Sequence, residues 1–359
     1  MKYIFFLFIL ALFFACNNDN ITPTPEPEPT PEPLPFDYIR GVDISFLPEI
    51  ETTSTSFYNE DGESKDALTI LKEAGCNTIR IRLWHSPSSA HSSFSEVNTF
   101  AKRVHDANLK VWLTVHYSDI WADPGSQTIP TPWQGLNLDT MKDSLSNYTQ
   151  RIVQEMNPDF IQIGNETNDG FLWNIGKPQN SYYELLKTAC TAVRATSDSC
   201  KIMIHYAGTN GADYFFSNLQ NEQIDYDLIG ISYYPMWHGK NLDALSNNLK
   251  LLKDNYNHPV VIAETAYPFT LDWDDWTNNI LGSDEHLIDE YPATPTGQTD
   301  FLRKIKEISI RNDNFGFCYW GTEWISFRGN QANNGSTWEN QALFDFNNKA
   351  LPAMQVLGE

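Results

Sequence analysis

Eight short apolar runs, separated by helix-like segments, limit the architecture of this chain more than any other feature. The runs are Ile39 to Ile44, Thr78 to Leu83, Val111 to His116, Phe160 to Ile163, Ile202 to His205, Leu228 to Ser232, Val260 to Ala263 and Phe315 to Trp320. Their length suits strands and is short for buried helices. Between them lie segments such as SKDALTILKEAG, with Leu68, Leu71 and Ala74 at helical spacing, and SYYELLKTACTAVRAT. Gly75 stands where a helix C-cap is expected. Alternating strands and helices predict a parallel sheet. Eight repeats across residues 36 to 359 fit an α/β fold of the (β/α)8 TIM barrel type, with enlarged loops, better than two separate domains. A doubly wound sheet is the rival, although no GxGxxG follows any strand.

Composition narrows the ligand. A net charge of -22 and a pI near 4.6 argue against nucleic acid, because an acidic surface repels phosphate. Eleven Trp and sixteen Tyr supply flat apolar faces with polar edges, which suit sugar rings.

Residues 1–16 read as an export leader: Lys2 is a positive start, Ile4 to Phe14 an apolar run too short to span a bilayer, and Phe14-Ala15-Cys16 a small-residue cleavage context. The cysteine after the cleavage point favours a bacterial lipoprotein signal with Cys16 acylated, over ordinary secretion with Cys16 discarded. Phe13 and Phe14 depart from the usual Leu-containing box. Residues 17–35 include ITPTPEPEPTPEPLP, which cannot build a core and makes an extended spacer. The expected product is an exported lipoprotein at the outer membrane or cell surface. Its N-terminal lipid anchor is its one membrane contact, its catalytic domain spans residues 36–359, and a monomer is expected. Of the other cysteines, Cys190 and Cys200 either pair across a helix-to-strand loop or stay free, whereas Cys76 and Cys318 read as small buried apolar residues.

In such a barrel the C-terminal strand ends line the active site. In chain order they carry Asp43, Arg80 with Arg82, His116, Asn165 with Glu166, His205, Tyr233 with Tyr234, Glu264 and Trp320. A carboxylate leaving a hydrophobic run is costly unless it is paired, solvated or used. Glu166 and Glu264 stand in this position on strands four and seven, which face each other across the barrel mouth. That placement can hold two carboxyl groups about 5 Å apart, as a retaining glycosidase needs. Glu166 is then the proton donor and Glu264 the nucleophile.

The segments GVDIS, RIRLW, HYSDIWADPGSQ, QIGNETNDGFLW, GISYYPMWHG, VVIAETAYP, GFCYWGTEW and WENQALFD resemble the signatures of glycoside hydrolase family 53, the endo-β-1,4-galactanases. The resemblance runs from about Gly41 to the end of the chain. It implies a (β/α)8 fold, endo-cleavage of β-1,4-galactan with retention, an Asn-Glu acid/base at Asn165 and Glu166, and a nucleophile at Glu264. The chemistry assigns partners. Arg80 can hold Glu264 charged, or serve in an ion pair elsewhere. Asn165 can bond the sugar 2-hydroxyl. Either Tyr233 or Tyr234 can orient the nucleophile, since neighbours on a strand point to opposite faces.

Trp84, Trp121, Trp173, Trp237 and Trp320 follow strand ends, where they either stack on sugar or pack in the core, and Trp320 is the leading platform. His116, Asp119 and His238 are polar candidates for substrate contacts, while His85 and His205 read as structural. One loop suggests a metal: LDWDDWTNN sets Asp272, Asp274 and Asn278 at alternating positions, with the Trp276 carbonyl between them, and such oxygens suit Ca²⁺. The family resemblance adds Ser336 and Glu339 from the loop after strand eight. A solvated acidic loop is the alternative. Alternative functions are a retaining hydrolase of another β-1,4-glycan such as mannan, and a noncatalytic surface glycan-binding protein. The second is disfavoured because a binder needs no carboxylate pair.

Overall fold

The computed structural model describes residues 38–359. The leader with Cys16 and the Pro-rich spacer lie outside the described residues. Among the described residues no helix is long and apolar enough to cross a membrane. Eight strands close into one parallel barrel: β1 (Ile39–Asp43), β2 (Thr78–Leu83), β3 (Lys110–Val115), β4 (Phe160–Ile163), β5 (Lys201–Ala207), β6 (Leu228–Ser232), β7 (Val260–Thr265) and β8 (Gly316–Tyr319). Each strand pairs with its neighbours in sequence. β1 completes the ring, with Gly41 opposite Thr78 on β2 and Ile39 opposite Gly316 on β8. This is the (β/α)8 barrel expected from the alternation, with strand ends shifted by a residue or two.

Helices Ala67–Glu73, Phe94–Asp106, Leu138–Met156, Tyr182–Arg194, Ala212–Asn221, Leu242–Tyr256 and Pro295–Arg311 return the chain after β1 to β7, and a 3-10 helix, Pro352–Leu357, follows β8. Their sequences explain their limits. The Ser93 hydroxyl accepts from the Glu96 amide to cap Phe94–Asp106, which buries Val97, Phe100, Ala101 and Val104 on one stripe. Asp66 caps Ala67–Glu73 in the same way. Gly75, just past its end, has a φ of 96° and lies against Gly358, so a side chain fits there neither by conformation nor by space.

Ile39, Trp112, Phe160, Met203, Leu228, Val261, Ala263 and Cys318 fill the barrel interior toward the strand starts. Burying each of the larger ones contributes about 1.5–3 kcal/mol. Toward the strand ends the interior turns polar, with Arg80, Gln162, His205, Ser232 and Glu264 all buried. That change of chemistry along one barrel axis separates scaffold from site. Cys190 and Cys200 are free and buried, as are Cys76 and Cys318.

Candidate active site

On β2 the side chains alternate. Ile79, Ile81 and Leu83 occupy one face, and Arg80 and Arg82 the other, so both guanidiniums reach the barrel mouth. β4 ends in a turn in which Gly164 and Glu166 have positive φ, 75° and 47°. A Cβ on residue 164 would lie 2.4 Å from Thr167 Cγ2, so only glycine allows the turn. A left-handed glutamate costs roughly 1–2 kcal/mol, which the surrounding hydrogen bonds must offset.

Arg80 is the hub. Nη1 donates to Asp43 Oδ2 at 2.8 Å, and Nη2 donates to Glu264 Oε1 at 2.7 Å and Asn165 Oδ1 at 3.0 Å. Tyr234 donates to the other nucleophile oxygen, Oε2, at 2.9 Å. Tyr233 instead donates to the Gly239 carbonyl, which settles which tyrosine contacts Glu264. Asn165 uses one amide hydrogen on the Ala122 carbonyl and lines the cleft. An oxygen of Glu166, an oxygen of Glu264 and a nitrogen of His205 lie within 4.8 Å of one another. The two carboxyl groups are therefore close, whereas an inverting enzyme keeps them roughly 6.5–9.5 Å apart for an intervening water.

The environments separate the two acids. Burial raises Glu166 to about 8, and the neighbouring Glu264 charge adds to it, against the Ser232 hydrogen bond and Arg80. Burial raises Glu264 too, but Arg80 and the Tyr234 hydroxyl oppose it. The proton of the pair resides on Glu166, because only Glu264 is bonded to a guanidinium. His116 and His205 are held neutral, well below the usual histidine value, by burial and then by the nearby arginines.

These groups open into a cleft of about 640 Å³ lined by Asp43, Arg80, His116, Trp121, Asn165, Glu166, Tyr234, Trp237, His238, Glu264 and Trp320. Residues 39–357 match the model of Glycosyl hydrolase family 53. This chain belongs to that family. It is 33% identical to the arabinogalactan endo-beta-1,4-galactanase of Cellvibrio japonicus over 87% of this chain and 88% of that protein. It is 29% identical to the endo-beta-1,4-galactanase of Bacillus subtilis over 89% of this chain and 85% of that one. Among solved structures it is similar to the family 53 catalytic domain from Ignisphaera aggregans, with 37% identity and a TM-score of 0.86 over 90% of this chain and 96% of that one.

The cleft of this family 53 hydrolase differs from the sequence reading in several places. Trp84 is not among its lining residues. It packs edge-on behind Trp121, with ring centroids 5.7 Å apart. Asp119 is absent from the lining as well, because it accepts from the amides of Ser86 and Thr131 and ties two loops together. Trp173 donates its indole N–H to the Asp169 carbonyl, also away from the cleft. Two residues overlooked in the sequence complete the aromatic wall: Trp324 stacks on Trp338 at 6.1 Å, and Trp338 meets Trp320 at 5.1 Å. Both lie in segments, GTEW and WENQ, whose Trp and Glu were visible but whose loop path was not. Arg82 lies 3.9 Å from the Trp121 ring centroid and braces it from the barrel side.

In the loop after β7, the side chains of Asp272, Trp276 and Asn278 are exposed and Asp274 is half-buried. The inward carboxylates are Asp275, which the alternating pattern skips, and Glu339, while Ser336 is also buried. Glu339 Oε1 accepts from the amides of Asp274 and Asp275, and Asp275 Oδ2 accepts from the Ser336 amide at 3.0 Å. Glu339 Oε2 and Asn279 Oδ1 are buried with no donor. Unpartnered buried oxygens of this kind are the chemistry a hard cation takes.

Proposed function

We propose that this chain is an endo-β-1,4-galactanase that hydrolyses internal bonds of galactan and type I arabinogalactan by double displacement. The observation that carries the chemistry is the close pairing of Glu166, which has no guanidinium partner, with Glu264, which is bonded to Arg80. Glu264 attacks the anomeric carbon while Glu166 passes its proton to the departing oxygen, so the glycosidic bond breaks as the glycosyl-enzyme ester forms. Water then attacks the anomeric carbon as Glu166 takes a proton from it, the bond to Glu264 breaks to free the carboxylate, and the β configuration is restored. Trp121, Trp237, Trp320, Trp324 and Trp338 offer faces on which a chain of sugar rings can stack. The names of the similar proteins support galactan over mannan.

The test is reducing-sugar release from a panel of β-glycans, with the first-formed anomer read by NMR. Release from galactan alone, with the β-anomer first, is expected. Preference for mannan would move the substrate assignment, an α-anomer first would overturn retention, and no release from any glycan would leave a binding protein.

Three further readings belong to this proposal. The chain is anchored as an exported lipoprotein through acylated Cys16, as the sequence of residues 1–35 supports. It works as a monomer. A Ca²⁺ ion between the loops after β7 and β8 would be held by Glu339 with oxygens of the Asp272 to Asn278 segment and Ser336. Its contribution there is charge neutralisation and loop stability.

A further inference from the structure

Behind Glu166 lies a line of buried polar groups that never reaches the cleft. Gln162, His205 and Ser232 each have 0% exposure. Gln162 Oε1 faces Arg80 Nη2 at 3.3 Å, and its Nε2 faces the Gly164 carbonyl at 3.1 Å, so a pure donor and a pure acceptor fix which end of the amide is which. Gln162 Nε2 therefore donates to His205 Nδ1 at 2.9 Å, and its hydrogens are shared with Asn165 Oδ1 at 3.0 Å. The Glu166 amide points at the same His205 Nδ1 from 3.4 Å. Nδ1 also meets the acceptor Asn165 Oδ1 at 3.2 Å, but it faces two donors, the nearer at 2.9 Å, so it accepts and the single proton of the neutral imidazole is on Nε2, 2.8 Å from Ser232 Oγ. Ser232 accepts that bond, and its own hydrogen is directed to Glu166 Oε1 at 2.6 Å.

We propose that Ser232 and His205 are positioning residues for the acid/base: their one-way chain of donors pins Glu166 Oε1 as an acceptor and leaves Oε2 as the oxygen that carries the transferred proton. The inference rests on Glu166 being the acid/base of the proposed hydrolase. It explains how a side chain on a left-handed turn keeps one orientation through two steps. In the first step the acid form needs its O–H aimed at the leaving oxygen. In the second, the Ser232 hydroxyl stabilises the carboxylate that must act as base. Because the chain begins at Arg80, the nucleophile's own cation also orders the proton donor.

Charged and titratable groups facing Glu166 are Arg80 from β2, His116 just after β3, Asp123 from the loop that follows, His205 from β5, Tyr234 after β6 and Glu264 from β7. Ser232→Ala removes none of these and deletes one bond that favours the anion. Glu166 then holds its proton to higher pH, so the basic limb of kcat/KM on galactan is expected to move up by about one unit. Turnover of an activated aryl galactoside, limited by the base-assisted second step, should fall about tenfold or more. Ser232→Thr, which keeps the hydroxyl, should restore both. Should Ser232→Ala fail to fold, Ser232→Cys, with its weaker donor, reads the same upward shift. A folded Ser232→Ala protein whose basic limb stays in place overturns the proposal while the wild type still cleaves galactan. A wild type inert on galactan overturns the functional reading instead.

Discussion

Replacing Glu166 with glutamine tests the separation of the two acids most directly. A carboxyl at about 8 is roughly nine-tenths protonated at pH 7, whereas one at its ordinary value is about 0.3% protonated, a difference of about 300-fold in available acid. Glutamine keeps the shape and the bond from Ser232 but has no proton to give. With galactan, whose leaving group needs protonation, kcat/KM should drop about 10²–10⁴-fold, and the basic limb near pH 8 should vanish. An aryl galactoside whose phenol leaves unaided should still form the glycosyl-enzyme, in a burst followed by slow turnover. Glu166→Ala should behave alike, and azide should then speed its turnover and give the β-galactosyl azide, since azide needs no general base. Glu264→Ala should show no burst, with any azide product in the α configuration. A basic limb that persists in Glu166→Gln, or a β-azide from Glu264→Ala, would refute the assignment of roles.

Tyr234→Phe removes one of the two groups that hold Glu264 ionised, so kcat/KM should fall about ten- to a hundredfold and the acidic limb should rise; Tyr233→Phe, which loses only the bond to Gly239, should stay near wild type. Equal losses in the two would contradict the geometry. Glu323 is buried, its Oε2 has no partner, and burial followed by the Asp43 charge raises it to about 8. A raised carboxyl loses native stability as pH rises from its unfolded value, about 4.3, through the folded one. The melting temperature gained by Glu323→Gln should therefore grow between those pH values and then level off, and a gain independent of pH would argue against a buried acid. Chelation should lower the melting temperature, because an ion at a hundredfold excess over its Kd adds about 2.7 kcal/mol to the folded state. Asp272→Ala with Asp274→Ala should remove the chelator effect, and elemental analysis showing no metal, with melting unmoved by chelator, would reduce the site to an acidic loop. Cys16→Ser should shift the protein from the membrane fraction to the soluble one, and unchanged fractionation would count against the anchor.

The barrel was legible in the amino-acid order because strands covered on both faces must be apolar along their length, and parallel neighbours need a crossover helix between them. Both constraints are local and leave a repeating trace. Glu166 and Glu264 were legible for a related reason: a carboxylate directly after an apolar run stands out, and a strand end has a fixed place in a barrel. Rotation and loop path were not legible. Tyr233 and Tyr234 are adjacent just beyond the end of β6, where the strand's alternation no longer dictates direction, and only the packed loop sends one to Glu264 and the other to Gly239. Trp84 and Asp119 follow strands as promising cleft residues do, yet neighbouring loops claim both. Trp324, Trp338 and Asp275 were passed over because the irregular loops that aim them carry no period. His205 and Ser232 looked like ordinary strand residues, and their chain to Glu166 spans β4, β5 and β6. Arg80 and Glu264 are 184 residues apart in sequence and 2.7 Å apart in space, a distance that exists only once all eight strands have closed.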